Sequence, residues 1–497
     1  MAYLGSLSGG QVLDPPGQPR ARAGTNWAEA KRELESVLRE PVFSPVHETA
    51  GDYLEYVRYR LEPEVLQAEA LEGLVAPRSG PAHLEQLIQT DRRMRSMAVA
   101  KVPAKLSPAA EDLQAWLGVM KDRNPSKELI AAKWKSSRNL PWLLAALAVL
   151  PTKDPLHKEL ADEASRLPKN SPAGVSLRWH MTRSAVESAS PADVLPLVRK
   201  ALQQPWPAWA ETALRKEGRA HASTLHDWST LLGSRIVRLS EYGGDWGGAD
   251  DLPETTAKRY GRNPLLLDPV VTEQLNFQFP LHLWEALIGS PDLPPALRMD
   301  LAHSAWTRAV LLQNWGSESR LKGYLDPQVQ AAIPKDLHGL HPTIREFRTV
   351  QVLMAFPGLS PLAEGGMGRA NDGWAPLSEA VWFGTNWWCL QPKKERNPAA
   401  EVPAFLGPAD VSTCESEWGK LRAFSSSRHW FGRVVTAYAE THKDDPTVPQ
   451  SLHRFVRITR NAECHDKELS ELSRRAFRML HKHYPDSPWA KKTPVHY

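Results

Sequence analysis

The residues best suited to chemistry form one glycine-rich acidic run, Gly243-Gly244-Asp245-Trp246-Gly247-Gly248-Ala249-Asp250-Asp251, followed by Glu254. Four carboxylates on flexible backbone match the oxygen ligands that a hard cation such as calcium takes. Asp245, Asp250, Asp251 and Glu254 would equally supply the paired carboxylates of glycoside hydrolysis. The spacing is not that of an EF-hand. A surface loop whose aspartates cap the next helix is the commoner outcome for such a run. No metal site is therefore assigned, and the four residues stand as the only catalytic candidates.

The other reactive side chains do not assemble along the chain. His221 and His226 are five apart, so they do not share a helical face as zinc ligands at i and i+4 do, and no HExxH occurs. His338 and His341 flank a Gly-Leu pair in an expected loop, and His481 and His483 diverge at a helix end. Cys464-His465-Asp466 has the residue types of a nucleophile and its base, but adjacent side chains point apart and triads form in space. Gly365-Gly366-Met367-Gly368 has no Lys-Ser/Thr after it, and no Gly-x-Ser-x-Gly elbow is present. No cofactor is implied.

Tryptophan is the unusual resource, with nineteen spread from Trp27 to Trp489. Most are expected in the core, because indole is large and apolar. Trp387-Trp388 is the pair expected to face a ligand, one ring presented while its neighbour packs inward. Indoles are enriched at binding hot spots.

These groups must be positioned by helices. Proline, at 42 of 497 residues, is well above the usual ~5%, whereas glycine is not raised. The prolines read as punctuation. Arg166-Leu167-Pro168-Lys169-Asn170-Ser171-Pro172 and His483-Tyr484-Pro485-Asp486-Ser487-Pro488 each stop one apolar helical run and restart another. Proline lacks the N–H that would continue the first helix, and Ser-Pro supplies the N-cap and first position of the next. Helices are expected near 126–137, 141–150, 155–167, 173–187 and 191–204, the last kinked at Pro196. Further helices are expected near 207–217, 223–241, 268–276, 280–289, 293–314, 326–333 and 342–355. A long Gly/Pro/Trp-rich excursion runs from Pro357 to Pro408, and three helices occupy the C-terminus.

Prolines 151, 168 and 205 are spaced by 17 and 37 residues, the half and full periods of stacked helix–turn–helix units. With the Leu469, Leu472, Ala476, Phe477, Leu480 spacing and the Tyr-Pro-Asp-Ser-Pro ending, this resembles tetratricopeptide-like helical repeats over about 126–204 and 428–490. There is no Trp-x-x-Leu-Gly opening and no run of equal repeats. The acidic glycine loop, Asn386-Trp387-Trp388-Cys389 and the Ser-Pro-Trp-Ala tail are similar to a group of bacterial helical proteins to which no activity attaches. The expected fold is all-α: stacked helical hairpins, an α-solenoid or TPR-like superhelix, with an irregular, loop-rich centre. The expected organisation is a flexible tail (1–25), an N-terminal hairpin array (26–205), a less regular middle (206–425) and C-terminal TPR-like helices (426–497).

The charge balance of 61 basic and 57 acidic residues argues against nucleic acid, which needs a concentrated basic face. The Arg474, Arg475, Arg478, Lys482, Lys491, Lys492 cluster suits a helix C-terminus, whose dipole favours cations. No apolar run reaches the ~20 residues of a membrane span. Three cysteines, Cys389, Cys414 and Cys464, suit a reducing compartment, with one bridge plus one free thiol as the alternative. No secretion signal is recognisable at the N-terminus. The cytoplasm is the expected location, with the periplasm second because the ending is similar to TPR-like envelope proteins. The expected function is non-catalytic binding of a protein or peptide on a helical-repeat surface. The alternative is a helical-toroid protein acting on or binding a glycan through the acidic loop and tryptophan platforms.

Overall fold

A computed structural model describes residues 26–76, 105–122, 124–168, 173–235, 257, 261, 265–356, 358–363, 365, 388–389, 401–424, 426–460 and 465–496, and the backbone of strands at 12–14, 18–20, 239–241 and 244–246. The described residues are mostly helical, with twenty-two helices. The chain divides into two compact units, Met1–Ser188 and Ala189–Tyr497.

In the first unit, helices α1 (Trp27–Arg39), α2 (His47–Leu61), α3 (Pro63–Val75), α4 (Pro108–Lys121), α5 (Lys127–Ser137), α6 (Leu140–Val149), α7 (His157–Arg166) and α8 (Gly174–Ser188) follow one another. Pairs adjacent in sequence pack together: α1 on α2, α3 on α4, α5 on α6 and α6 on α7. Their starts obey the punctuation. Ser107, Ser126 and Asn139 each accept a first-turn backbone N–H, and Pro108 and Pro141 follow two of them in the first turn. The short apolar helix α6 buries Trp142, Leu143, Ala145, Ala146 and Leu147 between its neighbours. Within the segment expected as a flexible tail, β1 (Val12–Asp14) pairs antiparallel with β2 (Gln18–Arg20).

The second unit begins with α9 (Pro191–Leu202), α10 (Ala208–Ala220) and α11 (Leu225–Ser229). Helix α9 continues through Pro196 as one element, so the first turn is not a separate helix. The helix expected over 223–241 is a second correction. It stops at Ser229, and β3 (Gly233–Arg235) pairs antiparallel with β6 (Leu265–Leu267), while β4 (Leu239–Glu241) pairs with β5 (Gly244–Trp246). The cause is local. Gly233 sits against Leu265 so closely that a Cβ there would lie 2.8 Å from the Leu265 Cβ. A glycine at a close approach serves a strand better than a helix interior.

The remaining helices are α12 (Pro269–Gln278), α13 (Leu281–Ile288), α14 (Pro295–Leu311), α15 (Trp315–Lys322), α16 (Pro327–Ala332), α17 (Pro342–Ala355), α18 (Pro408–Arg422), α19 (Ser427–Thr441), α20 (Val448–Ile458), α21 (Lys467–His483) and α22 (Pro488–Lys491). Sequence neighbours α13 and α14, α14 and α15, α19 and α20, and α20 and α21 pack together, while α12 packs on α18 and α17 on α19. One continuous core runs from Ala222 to Ala490. At its centre lies Arg308, fully buried, with Trp284 and Trp418 around its guanidinium at 4.5 and 5.4 Å. Its Nε donates to the Pro361 carbonyl at 2.6 Å and its Nη2 to the Asn276 carbonyl at 2.8 Å. Ser304 and Asn276 hold the next two residues, Leu362 and Ala363. The start of the excursion is thus stitched to α12 and α14. The restart signal at Ser487 behaves as expected, its hydroxyl accepting from Ala490 N at 3.1 Å. Its counterpart at 169–172 lies outside the described residues.

Candidate functional site

The structure does not assemble the acidic run into a described site. Asp245 lies on β5, placed by its backbone alone, while Asp250, Asp251, Glu254 and Trp387 lie outside the described residues. Trp388 is buried in the core of the second unit rather than presented at the surface. Its carbonyl accepts from both Ser427 N (3.0 Å) and Ser427 Oγ (3.1 Å), and Cys389 pairs with Ser426 in a β-bridge. Cys389 is disulfide-bonded and Cys414 is buried outside any disulfide, which matches the bridged alternative. Among the described residues, no group of three or more His, Cys, Asp or Glu is placed to hold a metal ion, and no helix is long and apolar enough to cross a membrane.

Behind Trp388 the fold builds a Ser–His–Asp chain that no local pattern announces. Ser426 Oγ lies 2.6 Å from His429 Nδ1, and His429 Nε2 lies 2.9 Å from Asp466 Oδ1. The histidine next to Asp466 in the chain is not its partner; His465 contacts Ser470 instead. Each end of this chain is also a helix cap. Ser426 accepts from His429 N at the start of α19, and Asp466 accepts from Leu469 N at the start of α21. The Asp466 carboxyl is held below its usual range, first by the Leu469 N–H and then by His429. Ser426 is buried, and its backbone pairs with that of Cys389. The arrangement ties segment 388–389, α19 and α21 together.

A second constellation reaches the surface. Glu318 on α15 is 1% exposed, its Oε1 accepting from the Trp306 indole at 2.8 Å. Its Oε2 lies 2.8 Å from His338 Nε2, and that imidazole is 43% exposed. The Trp315 ring meets the His338 ring edge-on at 6.0 Å, and the Arg345 guanidinium covers Trp315 at 4.3 Å. Local backbone aims this group. Gln313 adopts a left-handed φ of 55°, and Asn314 then caps α15 by accepting from Ser317 N at 3.1 Å. A non-glycine residue in this region carries strain that its surroundings must hold. Sequence patterns miss this constellation because α15 is too polar to stand out as a helix and does not mark Glu318 as buried. Asn314 is the one legible signal, as an N-cap type.

The first unit offers a different surface. Between α1 and α2, Pro41–Val46 forms a 3-10 turn in which all six residues are exposed and five are apolar. Val42, Phe43 and Val46 are 76%, 45% and 49% exposed. The turn is braced by two prolines and by His47 Nε2, which lies 3.1 Å from the Val37 carbonyl and 3.2 Å from that of Glu40. Elsewhere in this unit a charged groove of about 360 Å³ is lined by Arg138, Glu159, Glu163 and Arg166, which pair among themselves.

No family model, curated protein or solved structure matches this chain.

Proposed function

We propose that the chain is a non-catalytic protein- or peptide-binding protein built as a stack of helical hairpins. The observation that carries this reading is the Pro41–Val46 turn, which displays Val42, Phe43 and Val46 to solvent. Scattered single apolar residues on a surface need no explanation, but three large ones on one rigid turn do. The two prolines lower the entropy lost when a partner immobilises the turn. Sequential packing of α1 on α2, α3 on α4 and α5 on α6 supports the stacked-hairpin architecture. The use of Ser426, His429 and Asp466 as caps and ties supports a non-catalytic role for that chain.

The test is site-specific photocrosslinking in cells that make the protein natively. A benzophenone side chain at Phe43 is expected to yield one discrete adduct, and the same group at exposed Glu33 none. Val42→Asp with Phe43→Ser is expected to abolish copurification of that partner while leaving the thermal midpoint within a few degrees. Equal adducts from both positions, or none from Phe43, refute the reading.

A further inference from the structure

We infer that Trp315, Arg345 and His338 form a carboxylate-binding site in the second unit, suited to an acidic peptide. This site is independent of the apolar turn. The decisive feature is Arg345. Several arginines of this unit are neutralised by carboxylates, among them Arg199 by Asp227, Arg320 by Glu285 and Arg433 by Glu468. Among the described residues Arg345 has no carboxylate partner. It makes a 3.4 Å bond from Nη1 to the His338 carbonyl and stacks on Trp315.

Stacking on an indole holds the guanidinium plane while leaving its in-plane N–H groups available, and a planar fork pairs with a carboxylate through two parallel bonds. Part of the side-chain entropy normally lost on binding has therefore already been lost in folding.

The other wall is His338. Glu318 lies behind it, buried, with Oε2 lacking any aligned hydrogen bond despite the 2.8 Å approach of Nε2. A buried carboxylate is costly unless compensated. A purely structural partner would be expected to be buried with it, but this imidazole stays 43% exposed, and its Nδ1 has no protein partner among the described residues. With both ring nitrogens protonated, Nδ1–H can donate to a ligand carboxylate while Nε2–H stays engaged with Glu318. The Trp315 ring lies between the two groups, with Arg345 over its face and His338 at its edge. The strained Gln313 and the Asn314 cap set the position of that ring at the first residue of α15.

The experiment is fluorescence anisotropy with three labelled peptides: C-terminally amidated oligoglutamate, oligoglutamine with a free C-terminus, and amidated oligoglutamine. Binding of the first assigns a side-chain carboxylate and binding of the second a terminal one; amidated oligoglutamine is expected not to bind. Arg345→Ala and Trp315→Ala are expected to weaken binding by about tenfold or more, the scale of one charge-assisted hydrogen bond. Arg345→Lys keeps the charge without the fork and is expected to recover only part of it. Arg320→Ala, on the same helix as Trp315 but paired with Glu285, is expected to change affinity by less than about twofold. The Val42→Asp, Phe43→Ser double variant is expected to bind as the parent does, which separates this site from the apolar turn. Circular dichroism checks each fold, and Arg345→Ala alone decides if Trp315→Ala unfolds. Failure of both acidic peptides to bind, equal binding of amidated oligoglutamine, or undiminished binding by folded Arg345→Ala overturns the proposal.

Discussion

His180 has its Nδ1 buried without a hydrogen-bond partner, and burial, with the Arg183 charge nearby, brings its pKa from 6.5 down to about 4. The folded state thus resists a proton that the unfolded chain accepts. Stability contributed by neutral His180 is complete above pH 6.5 and is lost as pH falls toward 4. The carboxylates Asp112 and Glu62, held below their usual range although burial opposes it, lose their contribution at lower pH. Between about pH 7 and 5, the urea midpoint of the first unit is expected to fall in the parent and to fall distinctly less in His180→Gln. Parallel curves would remove His180 as the cause. Side-chain roles of this kind are poorly legible in the chain. Arg308 stands in a run reading Ala-Trp-Thr-Arg-Ala-Val, and nothing local says that two tryptophans and two carbonyls will enclose it, or that burial will lower its pKa to about 10. Ser426, His429 and Asp466 are equally silent because 37 residues separate the second from the third.

Helix α19 approaches α20 and α21 at Gly432, where an added Cβ would lie 2.4 Å from Phe455 Cζ and 3.1 Å from Leu472 Cδ1. Phe455 is fully buried, so its ring has no room to yield. Gly432→Ala is therefore expected to destabilise the second unit by about 1–3 kcal/mol, the cost of overpacking, despite the better helix propensity of alanine. At Gly419 on α18 an added Cβ would have no atom within 4 Å, so Gly419→Ala is expected to stabilise by about 0.5–1 kcal/mol. Opposite signs in denaturant titration check the pair, and equal effects would contradict the packing. Elements themselves are largely legible. The helices expected near 126–137, 141–150, 268–276 and 342–355 appear within two residues of their expected ends, because proline and capping residues act locally. The misreading at 223–241 comes from a strand whose partner, β6, lies some thirty residues on.

At the scale of the molecule the two units differ in how their cores are divided. Among the described residues the second unit has one cluster from Ala222 to Ala490. Among the described residues the first has three: Ala30, Leu34, Ala50 and Val57; Ala70, Leu71 and Ala110; and the larger group about Ile130, Trp134 and Trp142. Small separate cores open at lower free energy than one continuous core. Hydrogen exchange in mild urea is expected to release the amides of α1–α3 before those of α12–α14; simultaneous release would show that the clusters act as one. The sequence by itself determined the mostly helical character and most helix limits, since periodicity, caps and prolines operate within a few residues. Only the tertiary structure decided that Trp388 is buried, that Glu318 lies behind His338, and that Arg345 has an indole rather than a carboxylate for a partner. Those are contacts between residues far apart in the chain, and their energies depend on burial, which no local spacing encodes.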